Sequence, residues 1–261
     1  MIDKVIHYCW FGNNPKSDLI NKCIESWKKY CPEYKIIEWN EHNFDINMCE
    51  YTKNAYKAKK YAYVSDVART WVIYNYGGIY LDTDVELYKS LDELLNYEAF
   101  FCIDNGRCIN TGAGCGAEKN HSSMKALLDD YKNQYFELYG TNNPVCSYLN
   151  TIVLQSKYTK FEKIDKTQII DNVIFLSSGD MNSISKHYGE RSWLEGFDKS
   201  MLKQHGKIKM AILMKLRSPK IFKFIVKYFG TRGERVYEFF IYDFFDLKIS
   251  YFIKRIINKY I

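Results

Sequence analysis

The sequence predicts an α/β fold: a twisted, mostly parallel sheet flanked by helices, followed by a basic helical tail. Three observations predict it. Apolar runs of strand length alternate with segments of helical period through the first part of the chain. The first strand–helix–strand unit has a short crossover, which predicts parallel pairing and a right-handed connection. A third apolar run, entered through Gly77-Gly78, gives out at two carboxylates, Asp82 and Asp84. Ligand sites of open α/β sheets lie at that carboxyl edge.

The elements follow in order. Lys4 to Phe11 is a first buried strand, closed by Gly12-Asn13-Asn14-Pro15. Ser17 is a natural N-cap for a helix in which Leu19, Ile20, Cys23, Ile24 and Trp27 recur on one face, and Cys31-Pro32 ends it. Tyr34–Trp39 is the second strand. Residues 41–57 are polar and fit a loop with a short helix. Apolar residues from Ala62 to Tyr74 mark another helix, which carries Asp66 and Arg69 three apart and therefore on one face. Taken alone, such a pair is an ordinary solvated ion pair. After the acids come a short helix near Leu91–Leu95, a strand at Ala99–Ile103 and the glycine-rich run Asn110–Ala117. That run fits either close backbone approach to a ligand or a bulged strand. Helices over 121–136 and 144–156, a last strand at 172–176 and a polar loop to Trp193 complete the body.

Composition bounds the function. A chain of 261 residues with 47% hydrophobic content can bury one large core. No apolar run approaches the ~18–20 residues of a spanning helix. The start runs directly into a strand, so a cytoplasmic location with its eight cysteines as reduced thiols is expected. No Cys-x-x-Cys occurs, and the cysteine spacings fit no zinc pattern. Charge is divided: residues 199–261 hold 15 Lys+Arg against 4 Asp+Glu, whereas residues 1–198 hold 22 against 27. A catalytic body over 1–198 and a basic amphipathic tail over 199–261 are expected. Lys and Arg interleaved with Ile, Leu, Met and Phe suit the surface of an anionic membrane, and packing of the same helices on the body is the alternative. The density of Phe and Ile sets the tail apart from a nucleic-acid arm, so no nucleic-acid partner is expected.

Two hard oxygen ligands at Asp82 and Asp84 suit Mn²⁺ or Mg²⁺, and such an ion can hold a diphosphate. Acids at the end of a buried strand must meet solvent, a cation or a polar substrate, because a desolvated lone charge is very costly.

Five blocks in order carry a resemblance: Ile6-His7-Tyr8-Cys9-Trp10-Phe11-Gly12; Cys23-Ile24-Glu25-Ser26-Trp27; Tyr34–Asn40; Tyr61–Arg69; and Tyr76–Asp84. Together they resemble the glycosyltransferase family with a D-x-D sugar-binding region. That family includes capsular polysaccharide transferases and mannosyl- and galactosyltransferases, with clostridial glucosylating toxins as distant relatives. The resemblance implies a GT-A-like nucleotide-diphospho-sugar transferase fold and metal-dependent sugar transfer with retained configuration. It implies a donor that is a nucleotide diphosphate sugar, by family habit a UDP-sugar, and a glycan acceptor, lipid-linked if the tail holds the enzyme on the inner leaflet. It places Trp10 on the nucleotide base and Asp66 and Arg69 on the donor sugar. Asp82 falls on the ribose and metal, Asp84 directly on the metal, and Asn110 near the sugar. His187 and Trp193, in a His-Tyr-x-x-x-Ser-Trp ending one residue longer than the common spacing, return to the metal and the diphosphate. Two rivals use the same residues. A phosphatase of the haloacid dehalogenase type also carries D-x-D after a strand, but usually on the first strand and with Thr or Val where Glu86 stands here. A catalytically silent membrane-bound domain is the other.

Overall fold

The computed structural model describes residues 1–104, 108–134, 136, 146–161 and 166–189. All of them lie in the first of the two units into which the chain divides, Met1–Trp193 and Leu194–Ile261. The expected tail, Ser192 and Trp193 fall outside the described residues.

The N-terminal unit is β1 (Val5–Cys9), α1 (Asp18–Tyr30) and β2 (Lys35–Trp39). Ser17 caps α1 as expected, its hydroxyl accepting the Ile20 amide. Then come α2 (Glu50–Lys57), α3 (Tyr61–Tyr76), β3 (Gly78–Tyr80) and β4 (Val85–Leu87). A short 3-10 helix, Asp92–Asn96, leads to β5 (Ala99–Asp104), β6 (Cys108–Ile109) and β7 (Cys115–Ala117). The described remainder is α4 (Ser122–Asn133), α5 (Cys146–Lys157), β8 (Gln168–Ile170), β9 (Val173–Leu176), α6 (Ser178–Asn182) and β10 (Ser185–His187).

The main sheet has the order β2-β1-β3-β7-β5-β9-β8, with β6 paired to β5. β1 is parallel to β2 and β3, and β5 is parallel to β9. β7 joins these two groups by antiparallel pairing on both sides. Five strands therefore point one way, as the expected α/β class requires, while β6, β7 and β8 oppose them.

Two cores sit on opposite faces of this sheet, and strand periodicity assigns residues to each. In β5, Ala99, Phe101 and Ile103 join one core, and Phe100 and Cys102 the other. In β9, Val173 and Phe175 alternate with Ile174 and Leu176 in the same way. α3 and α4 contribute Val64, Val67, Val72, Met124 and Leu127 to the first core, and α1 contributes Trp27 to the second. Phe100, Phe101 and Phe175 have no exposed surface. Each such ring contributes about 1.5–3 kcal/mol of burial, which makes β5 and β9 rigid support for what the sheet edge carries.

His7 on β1 shows how polar groups survive in this interior. The Trp39 indole can only donate, so His7 Nδ1 accepts from it at 3.0 Å. The proton then sits on Nε2, which donates to the Gly77 carbonyl at 3.1 Å. Burial lowers the imidazole to about 4, with the Gly77 contact opposing.

Candidate functional site

α3 ends because Gly77 takes φ 71°, a left-handed conformation that favours glycine. The chain drops at once into β3, three buried residues beside β1. Just past that strand the Val85 amide bonds the Asp82 carbonyl at 3.1 Å, folding Asp82–Val85 into a turn. The two acids thus stand on a tight turn at the carboxyl edge, where the apolar strand has run out.

Asp66 and Arg69 lie on α3 beside this turn. They are not a solvated pair: Asp66 is 7% exposed and Arg69 3%. The guanidinium is fixed on several sides. Nη2 donates to Asp66 Oδ1 at 2.6 Å and stands 3.5 Å from Asp82 Oδ1, and Nε donates to the Ser65 carbonyl at 3.2 Å. Nη1 reaches the Thr111 hydroxyl at 3.5 Å. The Tyr80 hydroxyl donates to Asp82 Oδ1 at 3.0 Å, so this carboxylate is oriented from two directions. Burial opposes the Arg69 charge, but Asp82 and Asp66 outweigh it and hold the group protonated. Burial pushes the Asp66 carboxyl up, against the pull of Arg69.

β10 pairs antiparallel with β4, setting His187 opposite Val85. This brings His187 Nε2 within 3.3 Å of Asp84 Oδ1. Ligand atoms of Asp82, Asp84 and His187 all lie within 4.8 Å of one another. Burial disfavours charge on His187, yet the Asp84 carboxylate bonded to it, with Asp82 and Asp104 near, raises its pKa above the ordinary value. The cluster therefore attracts positive charge. Two carboxylates and one imidazole, half-buried, form a donor set that suits a divalent cation such as Mn²⁺ or Mg²⁺.

Asn110 shapes the neighbouring loop. Its Oδ1 accepts from the Gly112 amide at 3.0 Å, and the Gly112 carbonyl in turn accepts the Asp82 amide at 2.9 Å. Gly112 packs directly on the site, since a Cβ there would fall 2.1 Å from Asp82 Oδ2. Trp10 lies just past β1 on the same edge of the sheet, half-buried. Its indole N–H donates to the Asn14 carbonyl at 2.7 Å, and the Lys16 ammonium stands 5.6 Å from its ring centroid.

The structure thus brings Asp66, Arg69, Asp82, Asp84, Asn110 and His187 together, with Trp10 along the edge. Sequence reasoning missed Tyr80, Thr111 and Asn150, ordinary residues that become site residues only by packing. Asn150 Nδ2 donates to the Thr111 hydroxyl at 2.9 Å. Among the described residues, Asn150 Oδ1 and the hydroxyls of Tyr51 and Tyr131 are buried polar atoms without partners. The two tyrosine rings are 5.6 Å apart, and both feel the Asp66 charge. Orphaned polar atoms beside a carboxylate are suited to a hydroxyl-rich ligand or to bound water.

Fold and centre define a class: an α/β protein with an Asp-x-Asp turn, a buried Asp–Arg pair and a returning histidine at the carboxyl edge of its sheet. Residues 17–101 match the family described as glycosyltransferase sugar-binding region containing DXD motif. This segment holds Asp66, Arg69, Asp82 and Asp84, whereas Trp10, Asn110 and His187 lie beyond it. Inositol phosphoceramide mannosyltransferase 3 of Schizosaccharomyces pombe is 32% identical over 114 residues, covering 38% of this chain and 29% of that protein. Inositol phosphoceramide mannosyltransferase 1 of the same organism is 29% identical over 153 residues, covering 54% and 47%. The chain thus spans less than half the length of these curated relatives. Among solved structures, PaToxG glycosyltransferase is 20% identical over 62% of this chain and 71% of its own, with a TM-score of 0.46. A glycosyltransferase involved in the glycosylation of the major capsid of PBCV-1 is 12% identical over 75% and 97%, with a TM-score of 0.40.

Proposed function

We propose that this chain is a metal-assisted glycosyltransferase that moves a sugar from a nucleotide diphosphate sugar to an acceptor hydroxyl, with retention at the anomeric carbon. The observation that carries this is the cluster of Asp82, Asp84 and His187 set against the buried Asp66–Arg69 pair. Asp82, Asp84 and His187 would hold a divalent cation, which would supply positive charge where a diphosphate departs. Arg69 adds a fixed positive charge that needs no reorganisation as the diphosphate leaves, because Asp66 and Ser65 already hold it. Asp66 accepts from sugar hydroxyls. Tyr80 keeps Asp82 oriented. Trp10 offers a flat ring to the nucleotide base.

The curated relatives are named for mannose transfer to inositol phosphoceramide. We therefore put GDP-mannose beside the UDP-sugars as donor, and a lipid-linked polar head group first among acceptors. The basic residues of 199–261 suit a peripheral position on the cytoplasmic face of a membrane, which salt-sensitive co-sedimentation with phosphatidylserine vesicles checks.

The testing experiment is a panel of UDP- and GDP-sugars with and without Mn²⁺, scored for slow donor hydrolysis, with Asp84→Asn alongside. Metal-dependent release of one nucleotide, lost in the variant, is expected. No turnover across the panel, together with no calorimetric binding of any nucleotide in Mn²⁺, overturns the proposal.

A further inference from the structure

His187 reaches Asp84 only because β10 lies in one register on β4. The pairing is three residues long: Ser185 opposite Leu87, Lys186 opposite Glu86, His187 opposite Val85. A two-stranded ladder this short is marginal alone. A slip of one residue would turn His187 to the other face and take it from the acid pair.

β4 itself is fixed from α1. The Trp27 indole donates to the Val85 carbonyl at 2.7 Å, and the Ser26 hydroxyl accepts the Leu87 amide at 2.9 Å. On the other edge, backbone bonds close the pairing at both ends: Tyr188 amide to Asp84 carbonyl at 3.0 Å, and Tyr88 amide to Ile184 carbonyl at 2.8 Å. The two faces of this small sheet differ. Val85, Leu87 and Ser185 face inward and are buried, on the side that delivers His187. Glu86, Lys186 and Tyr188 face outward.

On that outer face three side chains close a ring. The Tyr188 hydroxyl donates to Glu86 Oε2 at 2.6 Å. Lys22, one helical turn before Ser26 on α1, places its ammonium 2.9 Å from Glu86 Oε1 and 3.4 Å from the Tyr188 hydroxyl. The Lys186 ammonium stands 4.3 Å from the Tyr188 ring centroid. The ring joins α1, β4 and the residue that directly follows His187, across 166 positions of sequence.

We propose that Lys22, Glu86 and Tyr188 form a register clasp that positions His187 against the Asp82–Asp84 turn, so that divalent-metal affinity depends on three side chains that are not metal ligands. The inference rests on the metal-site reading above. None of the three is a catalytic residue; they act through His187.

The test uses the full chain and Mn²⁺ alone, with free Mn²⁺ counted by electron paramagnetic resonance. Variants are Tyr188→Phe, Lys22→Met, His187→Ala and the Tyr188→Phe/His187→Ala double. Loss of a group bonded directly to a metal ligand weakens metal binding roughly 10-fold or more; Tyr188 acts one step further out, so a rise in dissociation constant of less than about 10-fold is expected for Tyr188→Phe. Lys22→Met, a change at an exposed position, shifts it in the same direction. The double variant binds no more weakly than His187→Ala alone, because the clasp has nothing left to position. Melting temperatures of the metal-free single variants stay near wild type. If the wild type binds Mn²⁺ and Tyr188→Phe binds it equally, the clasp is overturned and the metal site stands. Additive losses in the double variant overturn it too, since they report general loosening. If the wild type binds no Mn²⁺, the metal-site reading fails and the clasp with it.

Discussion

Gly112→Ala is the sharpest probe of the centre. An added Cβ would lie 2.1 Å from Asp82 Oδ2 and 2.6 Å from Arg69 Nη1. Carbon–oxygen contacts settle at about 3.3 Å or beyond, so the carboxylate must retreat by about 1.2 Å. It cannot retreat freely, because Tyr80 holds its Oδ1 at 3.0 Å and the Asp82 amide is bonded to Gly112 itself. A misplacement of about 1 Å in a positioned group costs roughly 100-fold in rate. That equals about 2.7 kcal/mol of lost transition-state stabilisation. The clash is with side-chain ends and not with a strand, so overpacking takes only about 1–3 kcal/mol from the fold. The assay is metal-dependent donor hydrolysis, with Mn²⁺ affinity and a thermal melt on the same samples. The expected variant is folded, slow and weak in metal binding. Wild-type turnover and wild-type Mn²⁺ affinity in a folded Gly112→Ala protein would refute the reasoning, because Asp82 could then move without consequence.

Two further outcomes follow from burial. His7 has a folded pKa near 4 against an ordinary value of 6.5. The unfolded chain takes up the proton first, so stability is full above about pH 6.5 and falls as the pH drops toward 4, by about 3 kcal/mol. Urea unfolding at pH 7 and pH 4.5 should show that loss, and His7→Gln should flatten it; an equal slope in the variant assigns the pH dependence to other groups. Arg69→Met leaves the Asp66 carboxylate buried without its cation. A cost of about 3–5 kcal/mol is expected at neutral pH, shrinking in acid as Asp66 is protonated. A urea midpoint unchanged from wild type at neutral pH would show that the pair adds nothing to stability.

The sequence alone determined the sheet-and-helix alternation, the helix cap at Ser17, and the placing of Asp82 and Asp84 where a buried strand gives out. These are local facts. Period, capping and glycine punctuation act within a few residues, and a lone buried acid is too costly to sit elsewhere. Asp66 and Arg69 were visible as an i,i+3 pair, but spacing cannot report burial; only the packing of α3 against the sheet makes them an interior pair. β4, β6, β8 and β10 were missed because strands of two or three residues outside a longer apolar run carry too little periodicity to be seen. His187 beside Asp84, Gly112 against Asp82, and the Lys22–Glu86–Tyr188 ring join residues from 30 to 166 positions apart. No local signal encodes such a meeting. The tertiary structure decided it, because sheet order and register set which side chains share one edge.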